Sequence, residues 1–196
     1  MRARTAAVMF FALIVAAHSA VVLAQESGSR LDALMHELAQ RRRGHAVFVE
    51  RQYLAILDRP LESSGELFYD APERIEKRTL QPKPGSLLLD GGTVTVQRGT
   101  RTYAGSLRDY PQLAPFMESI RATLAGDRAA LERSFTVSLE SQGADWTLAL
   151  VPRDAAAAAV VGHVRIAGVG ALIHEVEVQR ADGDRSLMTI HELPDK

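Results

Sequence analysis

Three histidines near the C-terminal end of the chain are the residues best suited to chemistry. His163, His174 and His191 fall in three consecutive segments with strand pattern, and Glu175 and Glu192 directly follow two of them. Imidazoles and carboxylates from neighbouring strands could bind a metal ion or transfer protons. Adjacent residues of a strand point to opposite faces, however, so a histidine and the glutamate after it cannot both point inward. We therefore favour surface or cross-strand roles, and a small hydrolase or metal enzyme is the weaker hypothesis.

Other catalytic signatures are missing from the sequence. It contains no cysteine, which excludes thiol nucleophiles, disulfides and thiolate metal sites. Neither a Gly-x-Ser-x-Gly nucleophile motif nor a phosphate-binding Gly-x-x-x-x-Gly-Lys motif occurs. The formal net charge is -1 and the charges are interspersed, which argues against nucleic-acid binding. We predict a non-enzymatic protein without a metal or other cofactor.

The N-terminal residues are typical of a secretory signal peptide. Arg2 and Arg4 precede an apolar segment over residues 6–22, and Ala24 comes directly before a polar stretch. This pattern predicts cleavage after Ala24 and export to the periplasm. The mature chain, residues 25–196, has the length of a single domain. An uncleaved membrane anchor is the alternative, because the apolar segment is close to the ~18 residues at which spanning becomes feasible.

The middle of the chain has the pattern of an antiparallel meander. Over residues 65–96, runs of strand length are separated by Ala71-Pro72-Glu73, Pro82-Lys83-Pro84-Gly85 and Asp90-Gly91-Gly92. Such turn sequences predict hairpins, and the runs lie too close together for helical crossovers. Consecutive strands should therefore pair directly.

Some strands of this region have individual features. Residues 45–57 alternate as one long strand. Gly65 lies inside the next strand and predicts a bulge or a close approach of backbone. Residues 75–80 carry charges on both faces, which predicts an exposed or edge-like strand.

Helical spacing of apolar residues predicts helices over residues 30–43 and 109–133, the second divided at Gly126-Asp127. Ser29 is the predicted N-cap of the first helix. Strand pattern resumes over residues 135–192. About ten strands and two or three helices predict one strongly curved antiparallel sheet with helices against its concave face.

The apolar residues between sheet and helix could form a packed core or line a cavity that holds acyl chains. We favour the packed core for the central members of this set. They are Leu67, Tyr69, Leu87, Leu89, Phe116, Met117, Ile120, Trp146 and Leu148.

The order of several short motifs resembles a known family. They are Phe48-x-Glu-x-Gln52, Gly65-x-Leu67 leading to Pro72, Leu88-Leu89-Asp90-Gly91 and Trp146-x-Leu-x-Leu150-x-Pro152. In this order, after a signal peptide and an N-terminal helix, they resemble the periplasmic outer-membrane lipoprotein carrier (LolA-like) family, in its divergent LolA-related branch. The resemblance implies an unclosed eleven-stranded barrel with a helical lid over an apolar cavity. It also implies a carrier that accepts a lipoprotein or another lipid from an inner-membrane transporter and delivers it to an outer-membrane acceptor; we expect a monomer.

The resemblance also predicts the residues of a lipid-binding cavity: Phe48, Leu67, Tyr69, Leu87, Leu89, Val94, Val96, Leu113, Phe116, Met117, Ile120, Leu124, Trp146, Leu148 and Leu150. One position departs from the family. Its carriers place an arginine before the turn proline, where it helps to hold the lid closed, and here the residue is Ala71, with Arg74 as the candidate substitute. The cargo, lipoprotein or another lipid such as a lipid-like pigment, is therefore left open. A lipid-sensing periplasmic regulator of the same fold is the alternative function.

Overall fold

A single antiparallel sheet of eleven strands dominates the computed structural model, which describes residues 28–111 and 114–194. The strand order is β6-β5-β4-β3-β2-β1-β11-β10-β9-β8-β7, so β6 and β7 are unpaired edges and the curved sheet is not closed. This confirms the predicted fold class. The predicted signal peptide lies outside the described residues. The strands are β1 Arg43–Tyr53, β2 Leu61–Asp70, β3 Arg74–Gln81, β4 Gly85–Asp90, β5 Thr93–Arg98, β6 Arg101–Ser106, β7 Phe135–Gln142, β8 Asp145–Pro152, β9 Val161–Val169, β10 Leu172–Arg180 and β11 Arg185–Glu192.

Four α-helices accompany the sheet within the described part of the chain. They are α1, which covers residues 28–39, α2 Ala114–Leu124, α3 Arg128–Ser134 and α4 Ala155–Ala158. The predicted division at Gly126-Asp127 is confirmed, since Asp127 caps α3 by accepting a hydrogen bond from the Ala130 amide at 2.9 Å. No helix among these residues is long and apolar enough to cross a membrane.

Predicted boundaries of the first helix and of the first long strand are wrong. Residue 28 is already helical, so Ser29 is not the N-cap of the first helix. The helix ends at residue 39 and not at residue 43, because the chain enters β1 at Arg43, which pairs with Asp70 of β2. The long strand ends at Tyr53 and not at residue 57. There the Ala55 amide donates a hydrogen bond to Asp184 Oδ1 at 2.9 Å, which fixes the connection to β2 outside the sheet.

Strand β3 is not the edge strand that its charges predict. It pairs with β2 on one side and β4 on the other, inside the sheet. Its charges have partners on the sheet: Arg74 lies 2.8 Å from Asp90, and Arg78 lies 2.6 Å from Glu76. Cross-strand and same-face ion pairs therefore account for a charge pattern that resembles edge protection.

Gly65 lies where the backbones of β2 and β3 approach too closely for a side chain. A Cβ built on Gly65 would lie 1.9 Å from the carbonyl oxygen of Arg78. The register between the two strands also shifts between Ser64 and Gly65. The predicted bulge and close approach are confirmed.

We expect Gly65→Ala to lower the free energy of unfolding by about 1–3 kcal/mol or more, because the methyl group overpacks against rigid backbone. Urea unfolding midpoints of the variant and the wild type measure the effect. Gly28→Ala is the matched control, since a Cβ on Gly28 meets nothing within 4 Å. Equal midpoints for the two variants would contradict the close approach.

Candidate functional site

The concave face of the sheet is filled differently in its two halves. Over β7 to β11, helices α1 and α3 and part of α2 pack against the sheet in one large apolar core, which includes Leu131 and Leu148. Over β4 and β5, the buried cluster has three members, Leu89, Val94 and Met117 of α2. Between α2 and strands β1 to β5 the face is left partly open, and this space is a cavity.

The cavity has a volume of about 730 Å³, within the roughly 300–1,000 Å³ of small-molecule binding sites. Its walls come from β1 to β5, β10, β11, α1 and α2, and no described residue of β6 to β9 contributes. Most of the wall is apolar: Leu38, Ala46, Leu67, Phe68, Tyr69, Ile75, Leu87, Val96, Phe116, Met117, Ile120, Leu124, Ile173, Val176, Met188 and Ile190.

Apart from Leu113, the predicted cavity residues fall into two groups, one on the cavity wall and one in the packed interior. On the wall lie Leu67, Tyr69, Leu87, Val96, Phe116, Met117, Ile120 and Leu124. In the packed interior, away from the wall, lie Phe48, Leu89, Val94, Trp146, Leu148 and Leu150. The second group is covered by neighbouring side chains of the two apolar clusters. Leu113 lies outside the described residues, and a role of the wall residues in lipid binding stays a prediction.

The wall changes from apolar to polar along the strands. On β3, the cavity-lining residues follow in the order Ile75, Lys77 and Thr79, and on β1 Glu50 and Gln52 come after Ala46. Thr79 pairs across the sheet with Gly85, and Gly85 pairs with Arg98, so the polar ends of β3, β4 and β5 lie side by side. A ligand along this wall would meet apolar side chains at one end and polar ones at the other.

An ion pair lies at the boundary between the two parts of the wall. Lys77 Nζ is 2.5 Å from Glu50 Oε2 and 4.8 Å from the centroid of the Phe48 ring, close enough for a cation–π interaction. Ser186 Oγ donates to Glu50 Oε1 at 2.6 Å, and Ser63 Oγ donates to Oε2 at 3.3 Å. Glu50 is 7% exposed. Side chains from β2, β3 and β11 thus hold the carboxylate in place.

The surroundings of Glu50 favour its ionised form. Burial acts to raise the pKa of Glu50, but the charge of Lys77 and hydrogen bonds from Lys77, Ser186 and Gln52 outweigh it. The pKa of Glu50 therefore lies below the ordinary carboxyl value of 4.5. Because the folded-state pKa is depressed, the stabilisation is fully present above the unfolded-state value and is lost as the pH falls through the folded-state value.

We expect the difference in unfolding free energy between the wild type and Glu50→Gln to be largest above pH 4.5 and to shrink at lower pH. Urea unfolding at several pH values between neutral and acidic measures this difference. The exposed pair Arg51–Glu62, with Nε and Oε2 3.0 Å apart, provides the control Glu62→Gln, which should change stability by less than about 1 kcal/mol throughout. A Glu50→Gln difference that is constant with pH would contradict the assignment.

Tyr69 brings a second polar group to the wall. Within residues 28–111 and 114–194, its hydroxyl is the one buried side-chain polar atom without a hydrogen-bond partner. Burial raises the pKa of the Tyr69 phenol, and the charges of Arg42 and Arg121 act in the opposite direction. An unpaired buried hydroxyl costs about 1–3 kcal/mol. The wall at Tyr69 therefore contains a polar group whose hydrogen-bonding capacity is unused.

In the described structure, apolar packing holds helix α2, the lid, against the sheet. Position 71 carries no arginine that could do so. Met117 and Phe116 of α2 pack into the apolar clusters of the sheet. The methyl group of Ala71 can form no hydrogen bond or ion pair, and Arg74 pairs with Asp90 on the sheet. Arg74 therefore does not replace the family's lid-holding arginine.

The three histidines do not converge. His163 is opposite Gln179 on β10, and His191 is opposite Val47 on β1. His174 is exposed and lies at a register irregularity of β10. In the part of the chain that the structure describes, no group of three or more histidines and carboxylates could hold a metal ion.

Comparison with known families agrees with the order of the motifs and the fold. The model of the family described as outer membrane lipoprotein carrier protein LolA-like matches residues 24–190. The chain belongs to this family. The match includes the whole sheet as far as Ile190, and with it every strand that lines the cavity. A search of curated proteins finds no significant match.

The solved structures that this chain is similar to are distant in sequence. A LolA superfamily protein from Nitrosomonas europaea is 12% identical over 87% of this chain and 94% of its own, with a TM-score of 0.47. The lipoprotein LppX from Mycobacterium tuberculosis is 9% identical over 86% of this chain and 98% of its own, with a TM-score of 0.44. In the Pseudomonas aeruginosa MucA/MucB complex, the matched chain is 13% identical over 85% of this chain and 59% of its own, with a TM-score of 0.44.

Sequence reasoning missed the polar residues of the LolA-like cavity. The charges of residues 75–80 predict solvent exposure, so Lys77 does not stand out as a cavity residue. One signal could have found its partner: Phe48, Glu50 and Gln52 alternate on one face of a strand, and a core-facing Phe48 turns Glu50 inward as well.

Proposed function

We propose that this LolA-like protein is a periplasmic carrier that shields the acyl chains of a lipoprotein or another lipid and carries it toward the outer membrane. The observation that supports this most directly is the largely apolar cavity of about 730 Å³ between α2 and strands β1 to β5. Burying acyl chains there recovers about 0.8 kcal/mol for each CH₂ removed from water. Binding and release need no covalent step.

The proposal includes the cellular path. Cleavage after Ala24, as the signal-like N-terminus predicts, would leave a mature domain of residues 25–196, and we expect this domain to be a monomer. An inner-membrane transporter would load the carrier and an outer-membrane acceptor would unload it. The wall residues of α2 and of β2 to β5 would contact the acyl chains.

Native mass spectrometry of the protein purified from its own periplasm tests the proposal. We expect a bound lipid or lipoprotein whose mass identifies the cargo. Uptake of a fluorescent fatty-acyl probe by the lipid-free protein is the independent check. A protein that carries no lipid and also fails to bind the probe would refute the carrier function.

A further inference from the structure

The ion pair of Glu50 and Lys77 gives the cavity a fixed hydrogen-bond donor. A lysine ammonium has three N–H donors, and among the described residues Glu50 is the one acceptor that Lys77 bonds. Glu50 already accepts from Ser186 and Ser63 as well as from Lys77. Both residues of the pair line the cavity. The carboxylate is therefore occupied by protein donors, whereas the ammonium has donors left for a ligand.

The fold alone does not require this pair. Lys77 is opposite Leu67 on β2 and Leu87 on β4, so it interrupts an otherwise apolar part of the wall. A partly buried ion pair such as this one often stabilises a protein no more than apolar side chains of similar volume do, because desolvation offsets the attraction. The pair lies at the boundary between the apolar and polar ends of the wall. This position points to a ligand that also has an apolar part and a polar part, joined at the level of the pair.

We propose that Lys77 donates a hydrogen bond to the neutral carbonyl oxygen of an ester- or amide-linked acyl chain, and that Glu50 makes the site select this carbonyl over a free carboxylate. The inference rests on the proposed function, because it requires an acyl chain in the cavity. The hydrocarbon chain would lie toward Ile75 and α2. The group esterified to it would lie toward Thr79 and Arg98, at the polar end.

Charge balance gives the selectivity. The charges of Lys77 and Glu50 cancel, so a neutral carbonyl can accept a hydrogen bond without adding charge to the apolar cavity. A free carboxylate would instead bring a second negative charge beside Glu50, and repulsion between the two carboxylates disfavours it. Glu50 is thus a specificity-determining residue that acts through Lys77.

The test measures how three ligands displace the fluorescent probe N-phenyl-1-naphthylamine from the protein at neutral pH. The ligands are methyl dodecanoate, dodecanoate and an alkane of matching length. In Glu50→Gln the charge of Lys77 is no longer balanced, so we expect the affinity ratio of acid to ester to rise about tenfold or more. In the double variant Lys77→Met/Glu50→Gln, the ratio of ester to alkane should fall about tenfold relative to the wild type.

Two further variants make the test specific. Lys77→Arg keeps a charged donor and should keep the wild-type ratios. The double variant Arg51→Met/Glu62→Gln removes a neighbouring, exposed ion pair of β1 and β2, and it should also leave the ratios unchanged. Thermal unfolding of each variant establishes that the compared proteins are folded.

The outcomes separate this inference from the carrier function. If all three ligands bind but neither Glu50→Gln nor the Lys77→Met/Glu50→Gln variant changes the ratios, the role of the ion pair is refuted and the carrier function stands. If neither the probe nor any of the three ligands binds the wild type, the carrier function is refuted, and the inference is refuted with it. A shift of the acid-to-ester ratio confined to Glu50→Gln would support selection by charge, since a merely structural role would weaken all ligands alike.

Discussion

Replacing Phe116 by aspartate is expected to lower the affinity for a fluorescent acyl probe by at least about a hundredfold, because a carboxylate in an apolar cavity must be desolvated when a chain binds. Phe116 lies on the cavity wall and packs against both apolar clusters of the sheet. It is the third residue of α2. An acidic residue in the first turn of a helix is favourable, so the substitution should leave α2 formed. Titration of the probe into the folded variant and into the wild type measures the loss of affinity.

Two variants control for shape and for charge. Phe116→Leu keeps an apolar side chain at the wall and should retain binding within about tenfold. Val151→Asp adds the same charge on β8, where Val151 is 48% exposed and does not line the cavity, and it should bind the probe like the wild type. Unchanged binding in a folded Phe116→Asp variant would show that acyl chains do not enter between α2 and the sheet.

Local sequence signals predicted the sheet well because each depends on neighbouring residues. The hairpin at Asp90-Gly91-Gly92 follows from its turn residues, and Gly91 and Gly92 do adopt positive φ values. The bulge at Gly65 and the helix break at Gly126 are also local. Alternation of apolar residues then assigns one face of each strand to the interior.

The division of that interior into core and cavity could not be predicted in the same way. Leu87 and Leu148 have the same residue type and the same alternating strand pattern, yet Leu87 lines the cavity and Leu148 is fully buried. The difference comes from which helix covers each strand. Such coverage depends on contacts between distant parts of the chain, and the pairing of Glu50 with Lys77 across 27 positions is of the same kind.

This division predicts opposite outcomes for one substitution at two leucines. Leu148→Ala is expected to lower the free energy of unfolding by about 2–5 kcal/mol, because it leaves a hole in a packed core. The affinity of the folded variant for the acyl probe should not change, since Leu148 does not reach the cavity.

Leu87→Ala should lower the free energy of unfolding by less than Leu148→Ala, because part of the Leu87 side chain already faces open space and its loss enlarges the cavity instead of creating one. It should weaken probe binding by roughly tenfold, the value of about two buried CH₂ groups. Urea unfolding gives the free energy of unfolding of each variant, and probe titration gives its affinity for the probe. If Leu148→Ala reduced binding while Leu87→Ala left it unchanged, acyl chains would have to lie over β8, and the cavity between α2 and β1 to β5 would not be the binding site.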